Sequence, residues 1–408
     1  MRNPDFLRFL SSHVANELGA HVSRVALPLV AVLALHATPL EVGLLSSLQT
    51  AAFLVIGLPA GVWVDRLRRR PILMSTDLVR FVLLAAIPVA QTFGVLSMPM
   101  LFFVAMAVGT AQVFNDVADQ SYLPVLIPKE GLGDGNARLE LVRSGGGLLG
   151  PGIGGLLVQL VGAPFTMLAT SVSALASVLA LSRIRAQEPE PPVVARRSLR
   201  TEMAEGLLFV WRDHVQRMIV ASTFMHNLCI SAVLGLSVLF LSTVVDLPPG
   251  AVGALLMSSA AGGVLGGLIT GPLFRRFGAA RVTWLSTTLT APFGLLLPMT
   301  QSDWRASFFA ITSIGLSAGA ILFNVGQITY RQTVTPPQLL GRVNATVRFI
   351  SWGVMPLGAL LGGAVAQQIG VREALWVFMA GRLLSFVPLL FSPLPRMRDF
   401  EPTTQARS

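Results

Sequence analysis

The chain has 408 residues, 53% of them hydrophobic and only 12% charged, with a mean hydropathy of +0.69. A soluble domain carries about twice that charge, so the composition excludes an ordinary water-soluble globule. The net charge of +10 comes from 29 arginines and one lysine scattered over short loops, and this scatter excludes a nucleic-acid binder, whose basic residues gather in one patch.

Cys229 is the single cysteine and lies in an apolar segment, so an internal disulfide is impossible and a thiolate metal cluster is not expected. The five histidines are too dispersed to argue for a metal, and no cofactor is expected. The opening MRNPDFLRFL lacks the short apolar region and cleavage site of a signal peptide, so the first apolar run is expected to remain as the first span.

In chain order the apolar runs predict twelve membrane helices, at residues 8–35, 40–61, 71–91, 98–120, 137–160, 163–183, 217–244, 250–272, 281–300, 304–328, 342–366 and 373–393. Each is near the 20 residues or so that cross about 30 Å of hydrocarbon. The expected fold is an all-α membrane protein of two pseudo-symmetric six-helix bundles, residues 1–185 and 217–395, with a linker at 186–216 and a tail at 396–408. With the N-terminus inside, 23 basic residues fall on the cytoplasmic side and two, Arg305 and Arg372, outside, which predicts that both termini are cytoplasmic.

The first span carries a polar stripe. His13, Glu17, His21 and Arg24 recur at three or four residues, with Asn16 beside them, and share one helix face. Charged groups at the bilayer centre cost about 2.5 to 3.5 kcal/mol each, so the stripe is expected to face a wet central cavity. Between the second and third spans, residues 61–70 read GVWVDRLRRR: Gly61 lets two backbones approach, Asp65 follows one turn on, and Arg69 another turn beyond. The fourth span bears a second stripe of Gln112, Asn115, Asp116, Asp119 and Gln120. In the fifth, residues 146–155 read GGLLGPGIGG, where small residues at four-residue spacing admit a neighbouring helix and Pro151 bends the span. The proline-rich and charged stretch 186–200 reads as a linker, and residues 198–216 as an amphipathic helix on the membrane surface.

The second half repeats the first. At an offset of 210, Pro39, Val42, Gly43, Gly57 and Gly61 fall on Pro249, Val252, Gly253, Gly267 and Gly271. At 208, Pro128, Asn136, Ala137, Gly150, Gly154, Gly155 and Gly162 fall on Pro336, Asn344, Ala345, Gly358, Gly362, Gly363 and Gly370. Parallel halves of this kind predict a substrate site between them near the midplane. Asn16 and Glu17 map onto His226 and Asn227, and Asp116 and Asp119 onto Asn324 and Gln327, so the acids of the stripes belong to the first half alone. The second-half counterpart of the basic loop keeps Arg275 and Arg276 but has lost the acid.

The 61–70 loop resembles the signature of the major facilitator superfamily, G-x-x-x-D-(R/K)-x-G-(R/K)-(R/K), at Gly61, Asp65, Arg66, Arg69 and Arg70, with Arg68 in place of the second glycine. The fifth span resembles that family's antiporter motif, G-x-x-x-G-P-x-x-G-G, at Gly146, Gly150, Pro151, Gly154 and Gly155. In the family this motif goes with export against a proton gradient. The stretches FLRFLSSHVANELGAHVSRVALPLVAVLAL, TDLVRF and RVNATVRFISWGVMPLGALLGG are similar to the drug-exporter branch that includes enterobactin and macrolide exporters, and the likeness covers nearly the whole chain. The resemblance implies that Arg69 pairs with Asp119 at the inner end of the fourth helix. It also implies that Asp65 faces Arg342 or the start of the eleventh helix, and that these contacts latch the cytoplasmic side.

The expected function is proton-coupled export of an amphiphilic small molecule, such as a drug, macrolide or siderophore, by a monomer whose energy source is the proton gradient. Glu17, with Asp116 second, is the expected coupling carboxylate, neutral while facing one side and ionised when hydrated from the other. The rival reading is static pairing, Glu17 with Arg24 or a histidine and Asp116 with Arg143. His13, Asn16, Gln49, Gln112, Asn115, His226 and Asn227 are expected to face substrate, with Phe53 or Trp352 as apolar contacts. An uptake or lipid-moving carrier and a transport-silent sensor are the alternatives. The sequence holds no G-x-x-x-x-G-K-(S/T) loop, which excludes ATP-driven transport by this chain alone, and no HExxH or GxSxG constellation that would suggest an enzyme.

Overall fold

The computed structural model describes residues 3–65, 67–128, 131–186, 188 and 199–400. Among them are twelve helical segments long and apolar enough to cross a membrane, as predicted. The helices are α1 (Pro4–Leu29), α2 (Pro39–Asp65), α3 (Arg69–Thr92), α4 (Met98–Leu126), α5 (Leu132–Val161), α6 (Ala163–Ser182), α7 (Leu199–Arg212) and α8 (His214–Leu239). They continue as α9 (Pro249–Phe277), α10 (Ala279–Thr290), α11 (Ser307–Val334), α12 (Pro337–Gly353), α13 (Met355–Ile369), α14 (Val371–Leu383) and α15 (Val387–Leu390). Two differences in length bear on the site: α4 runs through Pro124 to Leu126, beyond the predicted 120, and α11 runs to Val334, beyond the predicted 328.

The chain forms two compact units, Met1–Val194 with Gly235–Met257, and Ala195–Leu234 with Ser258–Ser408. In the first, α1 packs on α5 and α6, α3 on α4 and α6, and α2 on α4. One end of this bundle is sealed by Phe6, Phe9, Tyr122 and Leu181, with the Phe9 and Tyr122 rings edge-on at 5.4 Å. Helix-end chemistry fixes the segments around it. Asn3 caps α1 by accepting from the Asp5 and Phe6 backbone N–H groups at 2.9 and 3.4 Å. Glu188 accepts from the Arg69 and Arg70 backbone N–H groups at 2.6 and 3.2 Å, placing a carboxylate at the electropositive start of α3. Arg70 in turn donates to the Leu181 and Ser182 carbonyls at 2.9 and 2.7 Å, satisfying the end of α6.

The repeat extends to backbone detail. A π-helical turn at Val30–Ala34 recurs at Phe240–Val244, and each is followed by a non-glycine residue in left-handed conformation, His36 (φ 50°) and Asp246 (φ 61°). Gly162 (φ 84°) and Gly370 (φ 99°) likewise correspond. Helix crossings repeat too: Gly150 and Gly154 of α5 abut His21 and Val22 of α1, while Gly358 and Gly362 of α13 abut Ser231 and Ala232 of α8. At one crossing the small residue has changed sides. Gly19 meets Ser173 in the first half, whereas Cys229 meets Gly381 in the second.

The α5 glycines serve a second face as well. A Cβ at Gly155 would stand 2.9 Å from the Cα of Gly253 in α9, against backbone that has no side chain to swing aside. Gly155→Val is therefore expected to destabilise the protein by about 1–3 kcal/mol through overpacking. Gly145→Ala, with nothing within 4 Å of the added methyl, is expected not to destabilise. Thermal melting in detergent checks both, and equal melting temperatures for Gly155→Val and the parent would remove the contact.

In the second unit α7 ends at Arg212 because Asp213 caps α8, accepting from the Gln216 N–H at 2.8 Å and from the Tyr330 hydroxyl at 3.0 Å. The predicted amphipathic helix is thus shorter than 198–216, and it is docked: Gly206 lies against Thr346 and the Arg342 carbonyl of α12. After α10 the chain runs as a nine-residue 3-10 helix, Ala291–Met299, far longer than the usual three or four residues. Pro292 and Pro298 lack the N–H groups an α-helix would use there. Neighbouring side chains take up exposed carbonyls, Thr312 donating to Phe293 at 2.8 Å and Arg372 to Pro298 at 2.6 Å.

Candidate functional site

His13, Glu17 and His21 of the α1 stripe face neighbouring helices of the first unit, while Arg24 is exposed. His13, Glu17 and His21 lie one turn apart, with Glu17 Oε1 4.0 Å from His13 Nε2 and Glu17 Oε2 3.5 Å from His21 Nε2. Arg143 of α5 brings its Nε to 4.0 Å from Glu17 and also pairs with Glu140 at 3.5 Å. The room for this comes from Gly146, where an added Cβ would stand 3.3 Å from the Glu17 Cβ. At the other end of the stripe His13 Nδ1 meets Asp119 Oδ1 of α4 at 3.3 Å. Asp119, His13, Glu17 and His21 therefore form one line of titratable side chains, each within 4.0 Å of the next.

Beside this line sits a second network that ties α1, α3, α4 and α6 together. Arg80 and Asp77 are 3% and 1% exposed and 3.6 Å apart. Asp77 also accepts from Ser177 at 2.5 Å, Asn115 at 3.2 Å and Asn16 at 3.4 Å. Arg80 donates to the Asn16 carbonyl oxygen, Asn16 to Asn115 at 2.9 Å, and Asn115 to Thr76 at 3.0 Å. A buried ion pair stabilises only when its remaining donors and lone pairs are satisfied; the Asp77 carboxylate is, while the Arg80 Nε has no partner. Sequence reasoning missed both residues, although an acid and an arginine three apart in an apolar run was the available signal.

The expected pairing of Arg69 with Asp119 is not formed. Asp119 lies two turns before the end of the lengthened α4, so it meets His13, while Arg69 turns to Glu188 at 3.5 Å. Arg342 pairs with Glu205 of α7, because that helix is packed on α12. The contacts of Gly61, Asp65 and Arg66 lie outside the described residues. Of the rival static pairs, Glu17 has both histidines but not Arg24, and Arg143 reaches Glu17 in place of Asp116. Asp116 is exposed, accepts from Gln112 at 2.7 Å, and lies within electrostatic range of Glu17 and Arg24.

The second unit repeats the contact pattern without the charges. Thr223 meets Gln327 at 3.4 Å where His13 meets Asp119, and Asn227 donates to the Ser351 carbonyl at 2.6 Å where Glu17 meets Arg143. Here a cavity of about 610 Å³ opens, lined by His226, Asn227, Asn324, Gln327 and Trp352 together with Arg331, Arg348 and Arg382. The residues expected to face substrate are therefore divided. His226, Asn227 and Trp352 line the cavity, whereas Asn16 and Asn115 are held in the Asp77 network, His13 in the titratable line, and Gln112 against Asp116. Gln49 lies with its backbone carbonyl against Gly109, and Phe53 packs with Ala52, Ala60 and Val113. Sequence reasoning puts Arg331 in a loop, but the longer α11 buries it in the cavity wall.

The sequence matches the family model of the Major Facilitator Superfamily over residues 9–356 and 245–408. It is 29% identical to the multidrug efflux pump Tap of Mycolicibacterium fortuitum over 402 residues, 94% of each chain. With macrolide efflux protein A of Streptococcus pyogenes it shares 21% over 361 residues, 86% of each. The fold resembles a bacterial homologue of the iron transporter ferroportin (TM-score 0.78, 16% identity, covering 96% of this chain and 99% of that one). It also resembles the nucleoside transporter NupG (TM-score 0.78, 12% identity, 96% and 99%). These structural likenesses carry the fold alone. With the family model spanning most of a chain built of twelve apolar spans and an internal repeat, the protein belongs to the major facilitator superfamily.

Proposed function

We propose that this protein is a proton-driven exporter of amphiphilic small molecules in a bacterial cytoplasmic membrane, a monomer with both termini inside. The observation that carries the reading is the line Asp119, His13, Glu17, His21, four titratable groups in the interior of one bundle with no gap above 4.0 Å. Intramembrane ionisable residues in such a chain are the usual route of a proton. Glu17 is the central acceptor, with Arg143 as counter-charge when it is ionised. On protonation the attraction between α1 and α5 is lost at the level where Gly146 holds the two helices close. Export, in preference to uptake, is supported by the resemblance of residues 146–155 to the antiporter motif and by the relatives named as efflux pumps.

Inside-out vesicles loaded with a pH dye test the reading. Adding a transported compound is expected to release an imposed proton gradient only when the protein is present. Substrate movement indifferent to an uncoupler would favour an uncoupled uptake or lipid-moving carrier.

A further inference from the structure

The cavity of the second unit has a chemistry of its own. Three arginines line it, and no aspartate or glutamate does among the described residues. Arg382 of α14 is 2% exposed, yet its Nε and Nη1 have no hydrogen-bond partner. Arg331 of α11 is 7% exposed, with one Nη1 bond to Asn344 at 2.8 Å and its Nε unpartnered. Arginine keeps its charge under nearly all conditions, so guanidinium groups removed from water call for an anion or a set of acceptors. The first unit shows the ordinary solution, its buried Arg80 facing Asp77. The second unit lines the wall with groups that suit a bound anion, and the guanidinium fork matches a carboxylate or phosphate.

Apolar surface completes the cavity. Trp352, stacked by Arg348 at 4.4 Å, joins Phe323, Ile321 and Val347 in the lining. At about 610 Å³ the volume falls in the roughly 300–1,000 Å³ range of small-molecule sites. We infer that this cavity binds an anionic amphiphile, a small molecule joining a carboxylate or phosphate to an apolar body, with Arg382 and Arg331 holding the anion. The inference deepens the export reading by naming a substrate class, and it rests on that reading only for the compound's later movement.

Binding is measured at equilibrium, without a proton gradient, so its failure is distinct from failure of coupling. The full chain in phosphatidylcholine nanodiscs is titrated with dansylglycine and with dansylamide, which share a fluorophore and differ in the carboxylate; energy transfer from tryptophan reports binding. Dansylglycine is expected to bind about tenfold or more tightly than dansylamide, the scale of a charge-assisted hydrogen bond. Arg382→Gln is expected to reduce that preference to near unity while leaving dansylamide binding in place. If Arg382→Gln does not fold, Arg331→Gln is read in the same way, with a smaller loss. Equal affinities in the parent, or a preference that survives the substitution, would overturn the proposal. Phosphatidylglycerol retained through purification by the parent but not by Arg382→Gln would instead make the cavity a lipid headgroup site and overturn the small-molecule class. Displacement of dansylglycine, but not dansylamide, by inorganic phosphate would support it.

Discussion

In vesicles holding a pH difference of one unit, Glu17→Gln is expected to reduce substrate accumulation from about tenfold per coupled proton to unity. A proton falling through one pH unit releases about 1.4 kcal/mol, which can hold a tenfold concentration ratio only if the same molecule must carry both cargoes. The amide introduced by Glu17→Gln keeps the shape and a hydrogen-bonding oxygen but cannot accept a proton at any working pH. His13 and His21 would then lack the acid that bridges them, since each approaches Glu17 and no other carboxylate among the described residues pairs with both. Facilitated movement down the substrate's own gradient is expected to survive. The measurement is the steady-state ratio of substrate across the membrane, with Asp116→Asn run in parallel. An unchanged ratio in Glu17→Gln, with loss in Asp116→Asn, would move the coupling role to the exposed acid of α4.

Asp77→Ala is expected to cost about 3–5 kcal/mol of stability, because it leaves the guanidinium of Arg80 buried without its counter-charge. Folded domains hold only about 5–15 kcal/mol in reserve, so a large drop in melting temperature and in yield should follow. The loss exceeds that of Ser177→Ala, which removes one hydrogen bond to the carboxylate and is expected to cost about 1.5–3 kcal/mol. Replacing both charges, Asp77→Leu with Arg80→Met, is expected to recover much of the deficit, since neither ion then needs solvation. Melting of the four proteins in one detergent decides the matter. An Asp77→Ala variant as stable as the parent would mean that water or lipid reaches Arg80, contrary to its 3% exposure.

The spans, the repeat and the polar face of α1 are legible in the sequence because each depends on period and length within one segment. His13, Glu17 and His21 need only a count of four to share a face. Their partners are harder to read, since a partner depends on how far a second helix runs and how it is turned. Asp119 falls at the end of the predicted span, whereas α4 continues through Pro124 to Leu126 and so sets Asp119 two turns inside the helix, beside His13. Arg331 is lost for a similar reason: Thr329, Tyr330 and Arg331 look like loop residues, yet they form further turns of α11. The pairing of Arg69 is a family expectation, and the Glu188 cap on α3 replaces it through a residue beyond the sixth span. Asp77 and Arg80 are legible as an acid and a base three residues apart in an apolar run, but their ties to Asn16, Asn115 and Ser177 depend on how α1, α4 and α6 pack.

The exchange of the small residue between Gly19 with Ser173 and Cys229 with Gly381 bears on how this protein's relatives should be compared. The closeness of two backbones is a property of the pair, and either member can supply the missing bulk. Scoring each column of an alignment separately would call position 19 and its duplicate unrelated, and would do the same for position 173. Tallying the combined volume across the junction treats the two halves as the same solution.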